Sequence, residues 1–242
     1  MRIGRREWRD FAQRLRPVNA GWELKRVGGS GDGSYLVPDD FEDLAGHISP
    51  GVSDLVNFEL QLADDYGISS ALFDASIEKL PVEHKKLTFH KKFIGSPLRK
   101  DYITLNETLE NFPSSTRASL MLQMDIEGDE LLALNQLKME ELDNFRILVI
   151  EFHRVQDWTN KTVFNHFVKP LFENIGELFD IVHLHPNNCD GEFYFAGFFF
   201  PRAVEITFHH KSRRRKDLTS AFVPHPLDYP NTLEVPDIKL KF

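Results

Sequence analysis

A chain of 242 residues, 41% of them hydrophobic, is long enough for one sizeable core and short for two domains of typical size. Its formal net charge of -8, with basic residues gathered only in local clusters, excludes a duplex nucleic-acid binder, which needs a broad basic face, and leaves small-molecule or glycan ligands as the better fit. The single cysteine, Cys189, has no partner for an internal disulfide. The first residues lack the apolar core of a secretion signal, and no stretch reaches membrane-spanning length without charges, so a cytoplasmic protein with no membrane span is expected.

In chain order, Trp8, Phe11 and Leu15 stand at helical spacing, predicting an amphipathic helix that stops before Pro17. Residues 1–25 read as a helical extension of the main domain, 26–211. Four glycines follow within 28–33, around Asp32 and Gly33, and Tyr35-Leu36-Val37 comes next. Such a backbone reaches positive φ and approaches a ligand closely, and it equally resembles a hairpin turn; both readings stand. His47 to Pro50 then reads as a strand, Gly51 as its turn, and Leu55, Phe58, Leu62 and Tyr66 as one helix face capped by Ser53 or Asp54. A second strand over 68–73 ends in Asp74, 23 positions beyond Gly51, where Rossmann-type sites carry the acid that binds ribose hydroxyls. A third strand is predicted over 87–94, followed by a short helix capped by Thr104 and closed by Pro113.

Two apolar runs of strand length dominate the middle of the chain. Leu120 to Met124 ends in Asp125-Ile126-Glu127-Gly128-Asp129-Glu130, and Phe145 to Phe152 carries Glu151 and ends at His153. Buried parallel strands of this kind deliver their terminal residues to the carboxyl edge of a sheet, where open α/β folds bind ligands. Asp125, Glu127, Glu151 and His153 are therefore expected at one rim.

Three-and-four spacing over 162–176 predicts an amphipathic helix kinked at Pro170. The aromatic stripe it carries is core. Strands follow at 181–185, 193–200 and 203–208, the first two joined by a turn over 186–191, as an antiparallel pair at the sheet edge. The basic run 209–216 reads as a solvated surface segment, and 212–242 as an irregular tail packed on the same domain.

Together these residues carry a resemblance. Arg26 with Gly28-Gly29 and Asp32-Gly33-x-Tyr35, then Gly51-Val52-Ser53 with Phe58-Glu59, then Phe73-Asp74 and Met124-Asp125-Ile126-Glu127-Gly128-x-Glu130 form an ordered set. With His185-x-Asn187-Asn188 and Pro201-x-x-x-Glu205-Ile206-Thr207, that set resembles the FkbM-type S-adenosylmethionine-dependent methyltransferases over residues 26–211. The resemblance implies an α/β Rossmann-like methyltransferase fold, a mostly parallel seven-stranded sheet with a late antiparallel edge strand. It implies S-adenosylmethionine lying along the strand ends, with Gly51 at its amino-acid part, Asp74 at its ribose, Asp32-Gly33 closing one side and Asp125 beside it. The implied chemistry is O-methylation of a sugar or glycan hydroxyl, with His185, His153 or Glu151 as the base and a divalent cation on Asp125 and Glu151 as an option. A non-catalytic binding domain of the same fold and a nucleotide-sugar-binding transferase are the alternatives.

Overall fold

The structure is a computed structural model describing residues 1–114 and 116–240. At its centre lie seven strands, numbered here within this sheet: β1 (Gly46–Pro50), β2 (Ser70–Phe73), β3 (Leu87–His90), β4 (Leu120–Met124), β5 (Phe145–Phe152), β6 (Phe179–Phe195) and β7 (Phe198–His210). Their order is β6-β7-β5-β4-β1-β2-β3. Every pairing is parallel except the two made by β7, so the fold is α/β with a mixed, mostly parallel sheet.

Every residue of β4 and β5 is buried, as expected for strands covered on both faces. Leu120, Leu122, Met124, Leu148 and Ile150 point into the larger core, with Trp8 and Phe11 of the N-terminal helix α1 (Arg5–Arg14) and Phe164 and Leu171. Met121, Ile147 and Val149 point the other way, into a core shared with Phe58 and Leu62 of α2 (Asn57–Tyr66) and with an antiparallel hairpin, Leu24–Val27 with Tyr35–Pro38. That hairpin covers one face of the sheet, and residues 28–34 at its tip hang over the strand ends.

Several local expectations are revised. The predicted third strand stops at His90; Phe93–Ile94 pairs instead with Tyr102–Ile103. Helix α2 begins at Asn57 with Val56 in the N-cap position, so neither Ser53 nor Asp54 caps it; the Ser53 N–H donates to Asp74 instead. The antiparallel strand is inside the sheet rather than at its edge. A hairpin at Ala196-Gly197, both at positive φ (56° and 99°), folds β7 back between β5 and β6. Residues 186–191 are consequently an irregularity within β6, where the register shifts between Asn187 and Glu192, and not a hairpin turn. Ahead of Pro170 the helix widens into a π turn, Phe164–Val168, in which Lys169 N–H reaches back to Phe164 O; the ladder absorbs the missing proline donor locally.

The basic run is the largest departure from expectation. His209 and His210 are buried, Arg213 makes a two-pronged ion pair with Asp40 at 2.6 and 2.8 Å, and Arg214 does the same with Asp180 at 2.6 Å. Asp40 also accepts from His209 Nε2 at 2.9 Å and faces Arg146 at 3.4 Å. The segment ties the end of β7 to the hairpin side of the molecule. No helix among the described residues is long and apolar enough to cross a membrane.

Candidate functional site

Sheet register lines up most of the residues singled out from sequence. His185 of β6 stands opposite Glu205 of β7, and Glu205 opposite Glu151 of β5. One step beyond the paired residues Ile150 and Met124 lie Glu151 and Asp125, and one step beyond Pro50 and Phe73 lie Gly51 and Asp74. A transverse row His185, Glu205, Glu151, Asp125, Gly51, Asp74 thus crosses the carboxyl ends of the parallel strands.

Gly51 is where two strands come closest. Its φ is 82°, and a Cβ there would fall 1.5 Å from the carbonyl oxygen of Asp125. Only glycine permits this approach, so its first role is to let the ends of β1 and β4 meet. Beyond that contact opens a cavity of about 500 Å³, walled by Asp32, Gly33 and Tyr35 of the hairpin tip, by Gly51 to Ser53, by Asp74 and Ser76, and by Asp125 to Glu127. Glu59 and Gln123 also line it. Asp74 Oδ2 accepts the Ser53 N–H at 2.9 Å, and Oδ1 accepts Ser76 N–H at 2.7 Å and Ser76 Oγ–H at 2.6 Å. The glycine-rich stretch is thus both a hairpin turn and a cavity wall.

Next to the cavity lies an acid and histidine cluster. After Asp125 the backbone enters the left-handed region at Glu127 (φ 60°) and Gly128 (φ 116°), which turns the Glu127 carboxylate back over His153. Glu130 is buried at the start of a short helix, α3 (Glu130–Leu134), where it accepts the Gly128 N–H at 2.8 Å and lies 3.1 Å from His153 Nδ1. The buried carboxylate fixes Nδ1 as the protonated, donating nitrogen. His153 Nε2 then faces Glu127 Oε2 at 3.5 Å and Asp125 Oδ1 and Glu151 Oε1 at 3.7 Å each. Asp125 Oδ1 is enclosed and has no hydrogen-bond partner. One ligand atom each from Asp125, Glu127 and His153 lie within 4.8 Å of one another, so these three can hold a metal ion. Glu151 is engaged otherwise, receiving Asn187 Nδ2–H on Oε1 and facing the Tyr35 hydroxyl at 3.4 Å through Oε2.

Burial first, and then the closeness of the carboxylates, sets the electrostatics. Burial, with Glu127 and Asp32 nearby, pushes Asp125 up to about 7 against the pull of His153. Burial first, then Asp125 and Glu205, push Glu151 well above the usual range. Burial likewise pushes Glu205 up to about 7, opposed by His185, Asn231 and Arg26. His153 is driven the other way: burial works against its charge, and Glu130, Asp125 and Glu127 outweigh it, raising it to about 9.

His185 does not line the cavity. It lies two strands out, buried, with Nδ1 3.8 Å from Asp228 Oδ2, and Asp228 in turn lies 2.8 Å from His183 Nε2. The C-terminal tail closes this end of the row. Asn231 donates to Glu205 at 2.6 Å and to Asp32 at 3.3 Å, Asn188 holds Thr232 O, and Arg26 holds Leu227 O. Sequence reasoning passed over Glu205, Glu130, Asn231 and Asp228 as site residues. A charged residue inside the apolar run Val204-Glu205-Ile206 was a signal; for Asn231 and Asp228, in an aperiodic tail, there was none.

Compared with protein-family models, with curated proteins and with solved structures, the chain matches none.

Proposed function

We propose that this protein is an S-adenosylmethionine-dependent methyltransferase acting on a hydroxyl of a sugar or glycan. One observation carries the reading: the cavity opens between the ends of β1 and β4, where the crossover from β1 runs one way along the sheet and that from β4 runs the other. That is the switch point at which open α/β sheets bind ligands, and here it is framed by Gly51, Asp74 and Asp32-Gly33. The strand order, with an antiparallel strand placed between the fifth and sixth parallel ones, also fits a methyltransferase-type sheet.

In this reading Asp74, held in place by Ser53 and Ser76, accepts the ribose hydroxyls through its remaining lone pairs. S-adenosylmethionine, held by Gly51, Asp74 and the Asp32-Gly33 tip, would supply an already activated methyl group to the acceptor oxygen and would itself be left as the neutral thioether. The hydroxyl proton would pass to Asp125, because His153 beside it already holds its proton at neutral pH. Asp125, on the cavity wall and raised to about 7, replaces His185 as the first candidate for the base. Because the donor is already activated, most of the enzyme's work is alignment.

Thermal-shift titration tests the reading. S-adenosylmethionine or S-adenosylhomocysteine should raise the melting temperature with concentration, as mass action requires, and nucleotide sugars should not. Stabilisation by nucleotide sugars alone would favour the other transferase, and silence from all would favour a non-catalytic domain.

A further inference from the structure

We propose that Asp125, Glu127 and His153 form a binding site for one divalent cation of the manganese type, with Glu130 as its positioning residue. The imidazole carries the argument. Its side chain is only 9% exposed, Nδ1 is committed to Glu130, and Nε2 makes no hydrogen bond among the described residues but stands in ion-pair range of Asp125, Glu127 and Glu151. Separations of 3.5 and 3.7 Å are too long for a hydrogen bond. They suit two atoms that share an ion, since ligands at roughly 2.0–2.2 Å from a common metal lie about 3–4 Å apart. A second enclosed atom, Asp125 Oδ1, has no partner and faces the same gap.

The arrangement has the surroundings a metal histidine needs: its other nitrogen is tied to a buried carboxylate, which fixes the tautomer and the ring plane. The donor set selects the ion. Two carboxylates and one imidazole are too nitrogen-rich for calcium and lack the thiolate or second imidazole typical of structural zinc, whereas manganese accepts mixed oxygen and nitrogen ligands. Glu127, whose side chain is 84% exposed, is the ligand that can close over an entering ion. The site adjoins the proposed donor cavity through Asp125 and Glu127 but does not depend on the methyltransferase reading; a bound ion holds Asp125 deprotonated, so Asp125 serves as the base only in the metal-free protein.

The experiment uses the full chain with Mn²⁺ alone and no methyl donor, following free Mn²⁺ by electron paramagnetic resonance and the bound ion by its coupling to nitrogen. The expected result is one ion per chain with one imidazole nitrogen in its coordination sphere. Glu127→Gln should weaken binding at least roughly tenfold without lowering the melting temperature of the metal-free protein, because the side chain is exposed. Glu130→Gln should weaken it by roughly 10–100-fold. No saturable Mn²⁺ binding, no nitrogen coupling, or equal affinity in wild type and Glu127→Gln would each overturn the proposal. Donor titration in a chelator is read separately, so failure of the metal site and failure of the donor reading are distinguishable.

Discussion

Replacing Gly51 by alanine is the sharpest single perturbation of this architecture. The residue has φ 82°, and the added Cβ would stand 1.5 Å from the Asp125 carbonyl oxygen, where ordinary contact begins near 3.4 Å. The left-handed backbone costs an alanine roughly 1–2 kcal/mol. Relieving the clash means parting the ends of β1 and β4, an overpacking strain of about 1–3 kcal/mol. The total, roughly 2–5 kcal/mol, corresponds to a fall of about 4–20 °C in melting temperature for a chain of this size, at about 2–4 °C per kcal/mol. The displaced atom belongs to Asp125, so donor affinity should fall with stability. Gly176→Ala is the control: that glycine lies in a helix at an ordinary φ, with nothing within 4 Å of its Cβ, and should be neutral or slightly stabilising. A Gly51→Ala protein melting within about 2 °C of wild type would show that the two strand ends are not packed this closely.

Asp74→Ala should weaken donor binding in calorimetry by roughly 1.5–3 kcal/mol for each charge-assisted hydrogen bond lost, and unchanged affinity would reject the ribose assignment. Asp40→Ala removes the carboxylate beside the buried Arg146, leaving it only backbone carbonyls as hydrogen-bond partners, and should cost up to about 3–5 kcal/mol in denaturant unfolding, most of it from Arg146 since Arg213 is partly solvated; a loss below about 1 kcal/mol would return the basic run to the solvent. Burial lowers His47 to about 3, so the folded state holds it neutral. Its contribution is present above the unfolded value near 6.5 and is lost as the pH falls from there toward 3. His47→Gln should flatten stability against pH across that window, and an unchanged slope would show that His47 is not the group responsible.

What the sequence determined by itself was the set of buried strands and what stands at their ends. Leu120 to Met124 and Phe145 to Phe152 are buried along their whole length and apolar apart from Gln123, Arg146 and Glu151, a pattern that fits a strand covered on both faces, and the polar residues that follow such runs emerge at the sheet rim. Asp125, His153, Gly51 and Asp74 were legible for that reason, and so was the α/β class. Tertiary structure decided everything that depends on pairing across the chain. Whether β7 lies at the edge or folds inward is set by a two-residue turn at Ala196-Gly197, and that choice alone puts Glu205 between His185 and Glu151 and moves His185 away from the cavity. Arg213 and Arg214 look like solvated charges until Asp40 and Asp180, 173 and 34 positions away, are brought beside them. Asn231 and Asp228 sit in a stretch with no periodicity, and their places come from contacts with Glu205 and His183. Hydrophobic patterning reports which face a residue presents; it carries no record of which distant polar group will be waiting there.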